Sequence, residues 1–181
     1  MNNKKALMMG AEAVTLSMPA AQKAEAASAN LNINAVVLQA IALAEAQPLV
    51  FGTLAADAAL AGTVTLTPDG TAGGTLGTSN VSHLGANVVG LLDLTAGTGI
   101  VVNIAANTAT VNIPCTATCT PANTMAVDAF QFRGDGNTGA PITVNLTGAG
   151  TTQIEVGATL NVNAGQAAGS YAGVVQINAN Y

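Results

Sequence analysis

Charge is what this chain of 181 residues has least of. It holds four Lys and Arg against nine Asp and Glu, with only 7% of residues charged, where roughly 25% is usual for a soluble domain. Four bases cannot build the phosphate-binding stripe that nucleic-acid proteins need. Nucleic acid is therefore excluded as a partner. Tryptophan is absent and aromatic residues make up 3%, which argues against the stacking platform of sugar-cleaving enzymes. His83 is the only imidazole, and Asn80-Val81-Ser82-His83 shows no nucleophile elbow. Asp69, Asp93, Asp128 and Asp135 supply carboxylates, but no spacing among them selects a pair. No catalytic, cofactor-binding or metal-binding residue is assigned, and the chain is read as a non-enzyme. No apolar run reaches the ~20 residues of a transmembrane helix, so no membrane span is expected.

Half of the residues are nevertheless hydrophobic. That excludes disorder and suffices for one domain with a sizeable core.

The few bases are unevenly placed. Lys4, Lys5 and Lys23 lie at the start, and Arg133 alone follows. Asn2-Asn3-Lys4-Lys5, the mostly apolar stretch from Ala6 to Met18 and the small residues Ala27-Ser28-Ala29 read as a secretory signal. Glu12 interrupts the apolar stretch, and the other reading is an Ala-rich N-terminal extension with a short helix. Residues 1–29 are thus an export signal or extension, and 30–181 one domain. Without residues 1–29, Arg133 would stand alone against seven carboxylates, a net charge of −6. Such a surface suits a secreted protein, extracellular or at the cell surface, that packs against copies of itself.

Cys115 and Cys119 are the only cysteines. Their spacing can close a small disulfide loop in an oxidising compartment. Two buried reduced thiols are the other reading. Zinc would need further ligands.

From about Leu31 the dominant signal is alternation. Val64 and Leu66, Ile100, Val102 and Ile104, Val111 and Ile113, Ile142, Val144 and Leu146, Ile154 and Val156, and Leu160 and Val162 alternate with Thr, Asn and other residues. Period two in short runs broken by Gly, Pro, Asn and Asp is the pattern of half-buried antiparallel strands in a sandwich or barrel. Only Ala55 to Leu60 carries a trace of helical period. Met125 and Val127 fall out of phase with Phe130 and Phe132, and a β-bulge near Ala129 would return all four to the core. Arg133 to Gly139 reads as a long turn, a plain hairpin loop of the Gly, Asp and Asn that turns require. It contains an Arg-Gly-Asp tripeptide, a possible adhesive ligand, and a faint likeness to calcium-binding Gly/Asp repeats. Pro68 to Gly77 reads as a Gly-rich loop without a phosphate-binding ending.

Several segments, taken in order, resemble a known family. They are Leu49-Val50-Phe51-Gly52-Thr53-Leu54, Gly62-Thr63-Val64-Thr65-Leu66, Thr124 to Phe130, Val156-Gly157-Ala158-Thr159-Leu160-Asn161-Val162 and Gly165 to Gly173. The chain is similar over Leu31 to Tyr181 to the secreted bacterial family called domain of unknown function 4402. The resemblance implies an exported, all-β, immunoglobulin-like or pilin-like antiparallel sandwich, and no catalytic residues. Cys115 and Cys119 lie outside its pattern.

Two functions are compatible with this reading. One is a structural subunit of an extracellular filament, a homopolymer of this chain. The other is a monomeric adhesin binding a glycan or matrix at a cell surface. Monomeric sheets guard their edges with lysine or proline, whereas this chain has no lysine after Lys23 and five prolines after Pro19. That favours the filament, with subunits joined by strand addition. The candidate donor is Asn30 to Leu43, in which Leu31, Ile33, Ala35 and Val37 share a face. The candidate acceptor edge is Tyr171, Val175, Ile177 and Tyr181, on one face of a terminal strand. The competing reading makes Leu31 to Val37 the first strand of its own sandwich.

Overall fold

Alternating Val, Ile and Leu with Thr and Asn between them form strands because each strand then buries one face and solvates the other. The computed structural model describes residues 28–119, 123–148 and 150–181, and among these every regular element is a strand. The protein is all-β and antiparallel, as expected, and Val37–Tyr181 forms one compact unit. Residues 28–36 carry no regular secondary structure. The export signal read in residues 1–29 lies almost wholly outside the described residues.

The strands are β1 (Ala42–Gln47), β2 (Leu54–Ala56), β3 (Gly62–Thr67), β4 (Thr75–Ser79), β5 (Val81–His83), β6 (Gly90–Thr95) and β7 (Ile100–Ala106). They continue as β8 (Thr110–Ala117), β9 (Thr124–Gly134), β10 (Asn137–Gly139), β11 (Ile142–Leu146), β12 (Thr151–Val162), β13 (Ser170–Tyr171) and β14 (Ile177–Asn180). The main sheet runs β1-β6-β12-β9-β8-β13, with β10 on β9, β3 on β12 and β4 on β3. A second sheet, β11-β7-β14, forms the facing layer, and β2 pairs β5 separately.

The two alternating runs around Glu155 and Asn161 are one strand, β12, twelve residues long. Its first half pairs β6 and its second half pairs β3, while β9 takes the other edge. Gly157 sits at the changeover, where an added Cβ would meet the Leu66 carbonyl oxygen and Pro68. Only glycine lets β3 approach there.

The bulge stands where the phase shift required it. Gly157 pairs Gln131 and Thr159 pairs Asp128, so β9 carries an extra residue, and Ala129 has φ 48°. Met125, Val127, Phe130 and Phe132 are all buried in consequence. Val102, Ile104, Val144 and Leu146 of the second sheet join Leu94, Phe132 and Ile154 of the main sheet in a single core.

Three local readings need correction. Ala55 to Leu60 is not helical: β2 ends at Ala56, and the Asp57 carboxylate accepts from Ala59 N and Leu60 N at 2.7 and 2.9 Å. Those two N–H groups hold the Asp57 carboxyl below its ordinary pKa, Ala59 more strongly. The stretch from Arg133 to Gly139 is the hairpin expected, but with a much shorter turn. Gly134 pairs Asn137, and Asp135-Gly136 closes the hairpin with both φ positive, the type I′ geometry that matches strand twist. Arg133 is turned onto Glu155 at 3.4 Å, so the tripeptide spans the end of β9 and the hairpin turn. Finally, the segment after β12 is not one terminal strand, because it leaves the edge of β8 for the edge of β7. Between β13 and β14 it is irregular.

Candidate interaction groove

Residues 107–109 carry the chain from β7 in the second sheet to β8 in the main sheet. The second sheet stops there, but the main sheet continues. Over the remaining length its inner face is flanked by two single segments, residues 48–56 on one side and 166–175 on the other. Between them lies a groove of about 1110 Å³. Its floor is made of Val111 and Ile113 from β8, Met125, Val127 and Phe130 from β9, and Val156, Leu160 and Val162 from β12. Met125, Val127, Phe130, Val156, Leu160 and Val162 are buried there, whereas Val111 and Ile113 are only half-buried. Among the described residues, Glu45 is the only charged one lining the groove.

Each wall is fixed by its own set of hydrogen bonds. On the first, Val50 and Val88 exchange N–H···O bonds of 2.8 Å, and Leu84 N donates to Thr53 O at 2.8 Å. The His83 ring Nε2 lies 3.1 Å from Phe51 O, and Gln47 Nε2 donates to Val89 O at 3.0 Å. Gly52, at φ +84°, allows the chain to turn between Phe51 and β2, where a Cβ would strike the Ala86 carbonyl and the His83 ring. Phe51, Leu49 and Leu54 are held against the core in a half-buried position.

On the second wall, Thr116 Oγ1 donates to Ser170 O at 3.1 Å and Ala172 N to Pro114 O at 3.3 Å. The Tyr171 hydroxyl donates to Ala167 O at 2.7 Å and accepts from Gln166 Nε2 at 2.9 Å. Cys115 and Cys119 are joined in a disulfide with Cα atoms 6.1 Å apart. The bridge lies against this wall: a Cβ on Gly169 would collide with Cys119 Sγ and lie 3.2 Å from Cys115 Sγ. Below Ala172 the wall loosens. Among the described residues, the backbone groups of 173–175 have no hydrogen-bond partner until Asn107 N donates to Gln176 O. Val174 there is 89% exposed.

Of the four acceptor-edge residues read from the sequence, Tyr171 and Val175 line the groove. Ile177 stands in β14 opposite Ala106 and packs on the core beyond the groove. Tyr181 is further still, its hydroxyl donating to Gln39 O. The four do not share one strand face, because the chain changes sheets between Tyr171 and Ile177. The donor candidate is divided as well. Leu43 belongs to β1, opposite Leu94, whereas Leu31, Ile33, Ala35 and Val37 lie in no strand and are exposed. Sequence reasoning missed the first wall. Phe51, one of three phenylalanines and followed by a positive-φ glycine, was the available signal.

Comparison with curated proteins and with solved structures found no matching protein. A family match does exist, and it covers residues 41–181, the whole of the sandwich with both walls of the groove. The chain belongs to the family described as Domain of unknown function (DUF4402).

Proposed function

We propose that this chain is a structural subunit of an extracellular filament or surface fibre, assembled by strand addition between neighbouring copies. The supporting observation is the pairing of an incomplete layer with an unused strand-like segment. The groove leaves Val111 and Ile113 half-buried on a floor whose other side chains are buried, beside a backbone edge at 173–175 that has no hydrogen-bond partner among the described residues. Leu31, Ile33 and Val37 are meanwhile 84%, 86% and 92% exposed. Lengths agree: the seven residues 31–37 extend about 20 Å, and the seven residues of the groove floor along β12 from Val156 to Val162 span the same distance. An inserted strand bonds to the free edge through its main chain and fills the floor with alternate side chains. Leu31, Ile33, Ala35 and Val37 form the inward set, and Asn32 and Asn34 face water. Each buried Leu, Ile or Val contributes about 1.5–3 kcal/mol, from which the cost of ordering the segment is subtracted. The disulfide and the scarcity of charge accord with an exterior location.

The test is deletion of residues 28–37. The truncated protein is expected to remain monomeric and to bind a synthetic peptide of residues 30–38. At a hundredfold excess over Kd, the peptide adds about 2.7 kcal/mol of stability, readable as a raised thermal midpoint. Normal filaments from the truncated protein would remove the proposal.

A further inference from the structure

The point at which the chain enters the sandwich decides which groove its N-terminal segment reaches. Gln39 is anchored: its carbonyl accepts from the Tyr181 hydroxyl, and its Cβ lies 3.7 Å from where a Gly97 side chain would stand. Ile41 packs on the core, and Ala42 pairs Thr95. All of these contacts are at the closed end, where β6 turns into β7. The groove begins at Glu45, opposite Leu92. Six residue steps separate Gln39 from Glu45, the last of them within β1, a distance of about 20 Å for extended chain.

From this we infer that no subunit fills its own groove: the donor segment of each copy enters the groove of a second copy. The inference rests on the reading of residues 31–37 as the groove's occupant. Val37 is two residues from Gln39 and reaches at most about 7 Å from it. It therefore falls about 13 Å short of the near end of its own groove. Doubling back at Leu38 does not rescue the insertion. Covering about 20 Å consumes some six residues, 33–38, so that Leu31 alone of the four inward residues arrives. A monomer thus keeps an empty groove and a free donor, and each added subunit leaves one of each unsatisfied. Growth is open-ended by construction, without a self-capped state competing with it.

The experiment is a cysteine pair, Ile33→Cys with Val175→Cys, in the full chain with the native Cys115–Cys119 bridge retained. Mild oxidation followed by non-reducing electrophoresis and peptide mapping reads which thiols joined. The expected result is a ladder of dimers and higher species linked between residues 33 and 175. Monomers closed by that same link would overturn the inference while leaving the groove and donor in place. Absence of any 33–175 link would overturn the groove reading itself, and the inference with it. Should Val175→Cys misfold, Val174→Cys on the exposed rim replaces it. A second variant sharpens the cause. A twelve-residue Gly/Ser insert between Leu38 and Gln39 adds a mean reach of about 19 Å and is expected to convert the ladder into self-linked monomers. Persistence of the ladder would mean that the tether is not what prevents self-filling.

Discussion

Two halves of one sandwich differ although their sequences look alike. In the closed half, Val102, Ile104, Val144 and Leu146 meet Leu94, Phe132 and Ile154, and each is at most 1% exposed. In the open half, Val111 and Ile113 continue the same alternation on β8 but are only partly buried. The strands on both sides obey period two. What separates them is the second layer: β7 leaves its sheet after Ala106, and β14 is four residues long. Alternation fixes which face of a strand is apolar, and it carries no information about whether another layer arrives to cover that face.

The largest expected effect breaks this comparison directly, using the same residue type in each half. Ile104→Ala removes a fully enclosed side chain and is expected to cost about 2–5 kcal/mol. Ile113→Ala removes one whose outer side already faces the groove, and is expected to cost less than half as much. Urea unfolding midpoints read both. Equal losses would mean that the groove is filled in the isolated protein. Repeating the pair with the residue 30–38 peptide bound should raise the cost of Ile113→Ala and leave that of Ile104→Ala unchanged.

Legibility followed the same division. The bulge at Ala129 was readable because four scarce large side chains could be buried only by adding one residue. The faces of β3, β7, β11 and β12 were readable from alternation alone. The joining of the two runs around Gly157 into one strand was not, because a glycine there reads as a turn until β3 is seen to need the space. The helical trace at Ala55 to Leu60 misled because alanine favours helix locally, whereas the Asp57 carboxylate captured the N–H groups that a helix would have used. At the groove, Tyr171 and Val175 were legible as apolar positions of a late strand. The separation of Ile177 and Tyr181 from them depends on a change of sheet that no local pattern marks, and the wall around Phe51 depends on His83 and Val88, more than thirty residues away.

A smaller effect is expected from the disulfide. The loop it closes is short, so its removal costs at most about 2 kcal/mol in the chain-entropy view. Its position against Gly169 gives the change a location. In the double variant Cys115→Ser, Cys119→Ser, amide exchange should quicken at 170–172, where β13 and Ala172 bond to β8. Exchange in β7 and β11 should be unchanged, and binding of the 30–38 peptide should weaken, because the wall it pairs with is less ordered. Uniformly faster exchange through both halves would show that the bridge supports the whole sandwich and not the groove wall.

The smallest effect is a pH dependence confined to the loop between β3 and β4, remote from the groove. Asp69 accepts from the Thr71 hydroxyl at 2.7 Å, the Thr75 hydroxyl at 2.8 Å and Thr71 N at 2.9 Å. These bonds favour the ionised carboxylate, and the Thr71 hydroxyl is the strongest cause of an Asp69 pKa below its ordinary 3.8. A depressed folded value means that the unfolded chain takes up the proton first on acidification. The contribution is therefore complete above about pH 4 and is lost as the pH falls through the lowered folded value. The carboxylate is fully solvated, so the change in global stability is slight, and a local probe is the right one. Exchange of the Gly74 and Thr75 amides should be steady from pH 7 to 4 once corrected for intrinsic rates, and should quicken below that. Asp69→Asn should quicken it at every pH and abolish the acid step. An acid step of the same size in Asp69→Asn would place its origin in another carboxylate. Asp57 is the first alternative, since its pKa is lowered in the same direction by Ala59 N and Leu60 N.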